Sequence, residues 1–551
     1  MKKIDWLIIV FIIFVSFFTL KDLFKQGFYT SHDGIHQVVR FYYFDQAIRD
    51  GQIPPRFAGG LLNGFGYPLF IFSYHLPWLI AEPLHLAGLS IIDSVKMAFL
   101  LGFIFSGISM YLFQREMFNR LAAFVGTVLY LFAPYRFSNI FVRAAIGDAT
   151  AFIFPPILFL SLYKLKKRTS SFCWRWICLG ALAMSGLLLS HAMIFLFFFI
   201  SIILYIIYSL LWVKNKLKFI FSSIVLIFLG FGLSSYYLIP SATEKKLTVF
   251  SYLFKSIFSG TSFVDIKRLL YSSWGYGVVE AKEGAMSLQL GITQWLVILI
   301  STIMILFIVV LRKKSSEKNN IITKETVFYS LLFFCSIIMM LPISSFVWKA
   351  IERFIIIDFT WRILVLSVFC VSILAGFIVH KIKYSWWVGM LLIILAFYAN
   401  RNHIRINQSL DWPLSFYLEL ERTTNSYDEY TPIRVRSELV KEKKPKVEFS
   451  SPDALISINK QASNILNFDI NTNNSGKAKI NTIYYPGWQV KVNNLPVDID
   501  YQSSGFMEFP IKKGSSKVTA QLKETPLRLF SDMLTLLSIS FVSLLLLKYR
   551  K

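Results

Sequence analysis

The sequence predicts a polytopic α-helical membrane protein, about twelve transmembrane helices with a small, mostly β extracytoplasmic domain near the C-terminus. Three observations predict it. The 551 residues are 55% hydrophobic and 17% aromatic but only 16% charged, a balance foreign to soluble globules. Apolar runs of about 18 to 22 residues recur, long enough to cross a hydrocarbon core of about 30 Å as helices, and they lack the period of two of lipid-facing barrel strands. From about Arg401 onward phenylalanine thins out, Asn and Ser rise, and short alternating segments replace the runs.

Taken in order, Met1-Lys2-Lys3 and the run from Trp6 to Leu20 have the outline of a secretory signal. No small-x-small cleavage site follows, so the run is read as an uncleaved first helix. Twelve spans are predicted, over 5–23, 94–113, 120–135, 149–164, 175–190, 192–212, 217–238, 290–311, 326–343, 361–380, 385–399 and 528–548. With a cytoplasmic N-terminus, the basic clusters all fall inside: Arg115 and Arg120, Lys164 to Arg168, Lys214 to Lys218, Arg312 to Lys314, Lys381 with Lys383, and Lys548 to Lys551. Both termini are then cytoplasmic. The segment 68–88 is apolar enough for a further span, but it contains Pro77, Glu82, Pro83 and His85, and counting it would invert the basic loops that follow. It is read as a broken interfacial or re-entrant piece.

The predicted division is a transmembrane domain over 1–399 with long outer loops 24–93 and 239–289, an extracytoplasmic β-rich domain over 400–527, and a helix with a basic tail over 528–551. Within the β-rich part, Ala454 to Ile458, Ile465 to Ile470, Trp488 to Val492 and Lys517 to Leu522 alternate as strands. Asn473-Asn474-Ser475-Gly476, Asn493-Asn494 and Lys513-Gly514 supply turns.

The net charge of +25 sits in short clusters between apolar runs, which makes it a topology signal and not a nucleic-acid face. Cys173, Cys178, Cys335 and Cys370 lie in or beside the runs, so no disulfide or zinc framework is expected. The spans carry essentially no Asp, Glu, Lys or Arg near their midpoints, unlike an ion-coupled transporter. Ionisable residues converge instead on the outer side.

The first outer loop opens with Ser31-His32-Asp33-Gly34-Ile35-His36-Gln37. Asp33 suits either an N-cap of a helix over 35–50 or a general base. His32 and His36, four apart, leave open a divalent metal site with Asp33, but Gln37 and Arg40 complete no familiar ligand set, and no cofactor is expected. On the same side stand Arg143 and Asp148 before the fourth span, His191 between the fifth and sixth, and Trp361-Arg362 at the head of the tenth. Arginine can hold phosphate bidentately or snorkel to head groups; Asp148 can pair with Arg143; His191 can be a polar helix end. Trp274, Tyr276 and Glu280 can line a sugar site or serve as interfacial residues.

These segments resemble the GT-C superfamily of membrane glycosyltransferases, through an acidic residue after the first span and a long first outer loop ending in Gly66-Tyr67-Pro68-Leu69-Phe70. More narrowly, the chain resembles YfhO-like bacterial proteins and those labelled pyruvoyl-tetrahydropterin-synthase-related. Pro55-Arg56-Phe57, Gly64-Phe65-Gly66-Tyr67-Pro68, Tyr135-Arg136, Val142 to Asp148, Leu189-Ser190-His191, Phe359-Thr360-Trp361-Arg362 and Tyr484-Tyr485-Pro486-Gly487-Trp488 carry that likeness. Asp148 stands where Glu is expected, and Thr360 where Pro is.

The resemblance implies transfer of a sugar from a polyprenyl-phosphate donor to an acceptor outside a bacterial cytoplasmic membrane, such as teichoic acid or another surface glycan. It implies Asp33 as general base, with inversion at the anomeric carbon. By position, His36, Arg56, Arg143, Asp148, His191, Trp361 and Arg362 are the candidate substrate-binding residues. A flippase or exporter of lipid-linked sugars is the alternative reading.

Overall fold

The computed structural model describes residues 2–167, 172–250, 252–253, 262–310, 317–351, 359–420 and 422–549. Met1, Arg168, Arg312 to Lys314, Arg550, Lys551 and part of the 239–289 loop lie outside them. Each of the twelve apolar runs is built around a helix. Among the described residues, seven helical stretches are long and apolar enough to cross a membrane: Ile91–Met117, Ile146–Lys167, Ala192–Ser209, Lys216–Leu233, Ile321–Met340, Thr360–Lys381 and Pro526–Lys548. Arg120–Leu131 and Pro134–Val142 form a further path bent by 48°, at a proline that has no N–H to continue the ladder. Trp174–Ser190, Ile292–Ile308 and Ser385–Asn400 are shorter apolar helices, and Lys3–Thr19 has 17 residues. The chain is a multi-pass membrane protein.

Sequence sets where each helix lies. Leu364–Lys381 is apolar on every face, and such a helix is stable only when surrounded; the span it belongs to is 94% buried, against 22% for Pro526–Lys548 at the periphery. Ile91–Met117, of 27 residues, separates the two ends of the bundle by about 40 Å. Near its start Lys96 donates to the carbonyls of Lys25 and Gly27 at 2.7 and 2.9 Å. At its far end Tyr111, Arg115 and Arg120 converge on the buried Asp5 carboxylate at 2.9, 3.1 and 3.0 Å.

The 68–88 segment forms two short helices, Leu69–Phe72 and Leu76–Leu86, with Pro83 inside the second. Preceding them, β1 (Phe28–Tyr29) pairs antiparallel with β2 (Ser409–Leu410), so the first loop is stitched to the chain that leaves the bundle after Asn400.

The regular β structure begins at Val447. One antiparallel sheet has the order β4 (Leu455–Gln461), β5 (Ile465–Thr472), β10 (Gly514–Leu522), β7 (Trp488–Val492), β8 (Leu495–Val497); the other runs β3 (Val447–Phe449), β6 (Gly476–Ile483), β9 (Phe506–Ile511). Alternation sends Leu466, Phe468 and Ile470 of β5 into one core with Ala478 and Ile480 of β6 and Met507 and Phe509 of β9, as two facing sheets require. Phe57, Ile71 and Phe72 of the first loop join the same core. The β domain is therefore seated on the first loop, and residues 401–446 run between the two: Leu62 donates from its backbone to Arg422, and Asn63 from its side chain to Val440 and Lys441.

Candidate active site

The Gly34–Arg49 helix starts directly after Asp33. Asp33 occupies the cap position, and while its carbonyl accepts from the Gln37 N–H at 3.0 Å, its carboxylate accepts no cap hydrogen bond from the helix. Its backbone is fixed instead: the N–H groups of His32 and Asp33 donate to the carbonyls of Val142 and Arg143 at 3.0 and 2.9 Å. Two stretches more than a hundred positions apart are thus zipped together, and Asp33 and Arg143 share a rim.

Arg143 is aimed by its backbone. Ser138–Val142 is a single π-helical turn, in which the Arg143 N–H reaches back to Ser138, and Ala144 adopts φ +52°, a left-handed conformation that costs an L-residue about 1–2 kcal/mol. The guanidinium is 6% exposed. Its Nη1 donates to Asn139 Oδ1 at 2.7 Å and to Asp148 Oδ2 at 2.5 Å, and it lies over the Trp361 ring, 4.7 Å from the centroid. His191 Nε2 stands 3.2 Å from the other Asp148 oxygen.

Two adjoining cavities open on these groups. The larger, about 330 Å³, is lined by His32, Asp33, Arg143, Glu280, Phe359, Trp361, Arg362 and Glu429 among others. The smaller, about 180 Å³ and more polar, is lined by Asp33, His36, Gln37, Arg40, Tyr74, Arg143, Asp148, His191, Arg362 and residues 424–426 and 429. Asp33, Arg143, Arg362, Ser426 and Glu429 belong to both. The structure therefore brings together Asp33, His36, Arg143, Asp148, His191, Trp361 and Arg362.

Arg56 stands elsewhere. It is 2% exposed, and its fork is consumed by Glu524 at 3.0 Å, Asp532 at 2.7 Å and the Tyr236 carbonyl at 2.7 Å. Candidate substrate ligand by sequence, it is a clamp between the first loop and the C-terminal helix, because carboxylates 468 and 476 positions later fold onto it.

His32 turns its Nε2 to the Tyr276 carbonyl at 3.1 Å, and among the described residues no three His, Cys, Asp or Glu side chains are grouped to hold a metal ion. Glu280 does line the larger cavity, whereas Trp274 stacks on His403, centroids 4.3 Å apart. Burial, with a smaller contribution from Arg401, lowers the His403 pKa to about 4, so its ring stays neutral there.

Sequence reasoning missed Arg40, Gln37, Tyr74 and the strap over 422–430. Arg40 had a signal: positions 33, 36, 37 and 40 share one face of a helix. It donates to Thr424 Oγ1 at 3.0 Å, to the Thr424 carbonyl, and to Asn425 Oδ1 at 3.2 Å. Burial works to depress its guanidinium, and its electrostatic interactions with the acidic neighbours Tyr74, Asp33, Tyr430 and Glu429 outweigh it, raising its pKa above the ordinary value. The strap had none, since nothing local in Thr424-Asn425-Ser426-Tyr427 marks it as a neighbour of Asp33.

No family model matches the chain. An uncharacterized protein of Lactococcus lactis subsp. cremoris is 24% identical over 262 residues, a match spanning 45% of this chain and 42% of that protein's length. Among solved structures, the apo oligosaccharyltransferase of Archaeoglobus fulgidus aligns with a TM-score of 0.44 and 11% identity, over 76% of this chain and 56% of that one. ArnT from Cupriavidus metallidurans bound to undecaprenyl phosphate aligns with a TM-score of 0.40 and 13% identity, over 76% and 68%. Its apo form gives a TM-score of 0.36 at 12% identity, over 75% and 66%.

Proposed function

We propose that the chain is a membrane glycosyltransferase that moves a sugar from a polyprenyl-phosphate donor to a hydroxyl of an acceptor in the bacterial cell envelope, on the extracytoplasmic face. One observation carries this reading: Asp33, released from capping, stands at the junction of two cavities that Arg143 and Arg362 also line. A carboxylate and a pair of guanidinium groups on one cavity supply the two needs of the reaction, a base for the attacking hydroxyl and donors for a leaving phosphate.

In this reaction the acceptor O–H proton passes to Asp33 as the oxygen bonds the anomeric carbon. The bond from that carbon to the phosphate oxygen breaks, and its electron pair leaves on polyprenyl phosphate. Asp148 holds Arg143 in place without consuming its fork, since both protein bonds fall on Nη1 and the remaining N–H groups suit phosphate oxygens. The Trp361 ring beneath Arg143 supports the guanidinium from its apolar side.

The test is Asp33→Asn in the full chain, reconstituted in vesicles with a polyprenyl-phosphate hexose and an envelope polymer. Loss of a general base lowers kcat by about 10²–10⁴-fold. Transfer at the wild-type rate overturns the assignment, and donor movement across the vesicle without bond formation overturns the reaction.

A further inference from the structure

We propose that the seam between the first loop and the β domain holds a second ligand site, which takes a small polyol or sugar unit bearing a phosphate or carboxylate group. A cavity of about 130 Å³ opens there, lined by Gln46, Phe57, Lys446, Gln461, Thr482 and Trp488 among others. Among the described residues it shares no lining residue with the two cavities at Asp33. Gln46 lies on the helix that begins after Asp33, and a rise of about 1.5 Å per residue sets the two regions about 18 Å apart along its axis. Binding there stands or falls independently of glycosyl transfer.

Lys446 gives the cavity its sign. Its Nζ donates to the carbonyls of Gly64, another lining residue, and Asn481 at 2.7 and 3.4 Å, which leaves one of the three ammonium donors. Among the described residues no carboxylate pairs with it, and burial, without a contribution from any neighbouring charge, lowers its pKa to about 8. Asp50, on the same seam, spends its Oδ2 on the Ser463 N–H at 2.7 Å. Lys446 is half-buried and charged at neutral pH without a counter-ion, a costly state that an anionic ligand relieves. The exposed Lys441, Lys443 and Lys444 lead up to it, with Glu442 the one acid among them, so the approach is electropositive.

The rest of the wall chooses what carries the anion. Phe57 and Trp488 meet edge to face, centroids 5.8 Å apart, and give the cavity an apolar side suited to the C–H face of a sugar or polyol. The Thr482 hydroxyl has no protein partner among the described residues and is not sequestered from solvent. Gln461 is exposed and marks the mouth; both side chains suit ligand hydroxyls. The seam is tight where it closes: Gln52 Nε2 donates to Ser463 Oγ at 2.7 Å, and a Cβ on Gly59 would come 2.7 Å from Ser463 Cα.

The experiment follows hydrogen exchange of the backbone over 59–64 and 461–466 in the detergent-solubilised full chain as glycerol 3-phosphate or glycerol is added, a local readout that an anion held at Arg143 does not move. The charged probe reaches half-protection at a concentration roughly 10- to 100-fold lower than the neutral one, the worth of a charge-assisted hydrogen bond. Glucuronate against glucose repeats the comparison with a carboxylate. Gln461→Glu sets a carboxylate at the mouth without touching the bonds of Lys446 and brings the members of each pair within about threefold; Lys446→Met does the same. Should Lys446→Met loosen the seam, Gln461→Glu alone decides. A charged-probe advantage in either pair that Gln461→Glu removes supports the site and says which anion it takes. No advantage in either pair overturns it, as does an advantage that survives Gln461→Glu, and neither outcome depends on whether Asp33→Asn abolishes transfer.

Discussion

Arg56 and Arg143 are nearly equally buried, 2% and 6% exposed, and both sit in short motifs between apolar runs, yet they do opposite things. Arg56 meets two carboxylates and a carbonyl, one for each nitrogen of its fork. Arg143 meets one carboxylate and one amide, both on Nη1, and borders two cavities. Burial alone says nothing about function; the fraction of a guanidinium's donors already used does. A fork with each of its three nitrogens bonded by the protein is architecture, and one with nitrogens left open beside a void is placed to take up a ligand.

The sharpest way to break this contrast is at Arg143. Arg143→Lys keeps the ion pair with Asp148 but loses the planar fork, so transfer falls by about 10²-fold while the melting temperature moves by about 2 °C or less. Equal losses of stability and rate would make Arg143 architectural too.

Arg56→Met is the converse. It leaves Glu524 and Asp532, 30% and 18% exposed, without their counter-charge, and costs about 2–4 kcal/mol in unfolding measured by heat or denaturant in detergent, the partial exposure holding it near the lower bound. Specific activity of the molecules that remain folded stays within about threefold.

Arg40→Met tests a third kind of arginine, whose bonds hold the strap and not the substrate. Proteolysis within 422–430 accelerates by about tenfold, as expected when about 1–2 kcal/mol of local stability is removed.

The smallest effect is a titration. His403 is neutral in the fold down to about 4, against 6.5 for the free side chain. Between those values the unfolded chain binds the extra proton, so stability is whole above about pH 6.5 and is lost as pH falls towards 4. The loss is at most about 2 kcal/mol after screening, and His403→Gln flattens this part of the melting profile.

The fold was legible because hydropathy is local: every one of the twelve apolar runs contains a helix. Much of the site was legible for the same reason, since His191 and Arg362 stand at the ends of apolar runs and Asp33 and Arg143 in the segments joining them, and helices that end on one side of a membrane bring their ends together. Two things were not. Arg56 reads as a loop arginine until Asp532 arrives 476 positions later, and Arg40 meets Thr424 across 384 positions. No periodicity spans such distances; only the packing of the C-terminal helix and of the 422–430 strap onto the first loop and its helix creates them. The 401–446 stretch likewise reads as the start of the β domain, yet it contributes only β2 and short helical turns, because its apolar residues are spent on the first loop.

The left-handed residue at Ala144 has a bearing on protein engineering. Its side chain is wholly buried, so the position tolerates glycine by conformation and little else by volume; a β-branched residue there must either flip the peptide or move the wall. Transplanting Val142 to Asp148 into another helical scaffold would carry the residues of the proposed phosphate site without its aim, unless the recipient also supplied a π turn before the arginine and a left-handed residue after it. The transferable unit is a backbone path with an arginine on it.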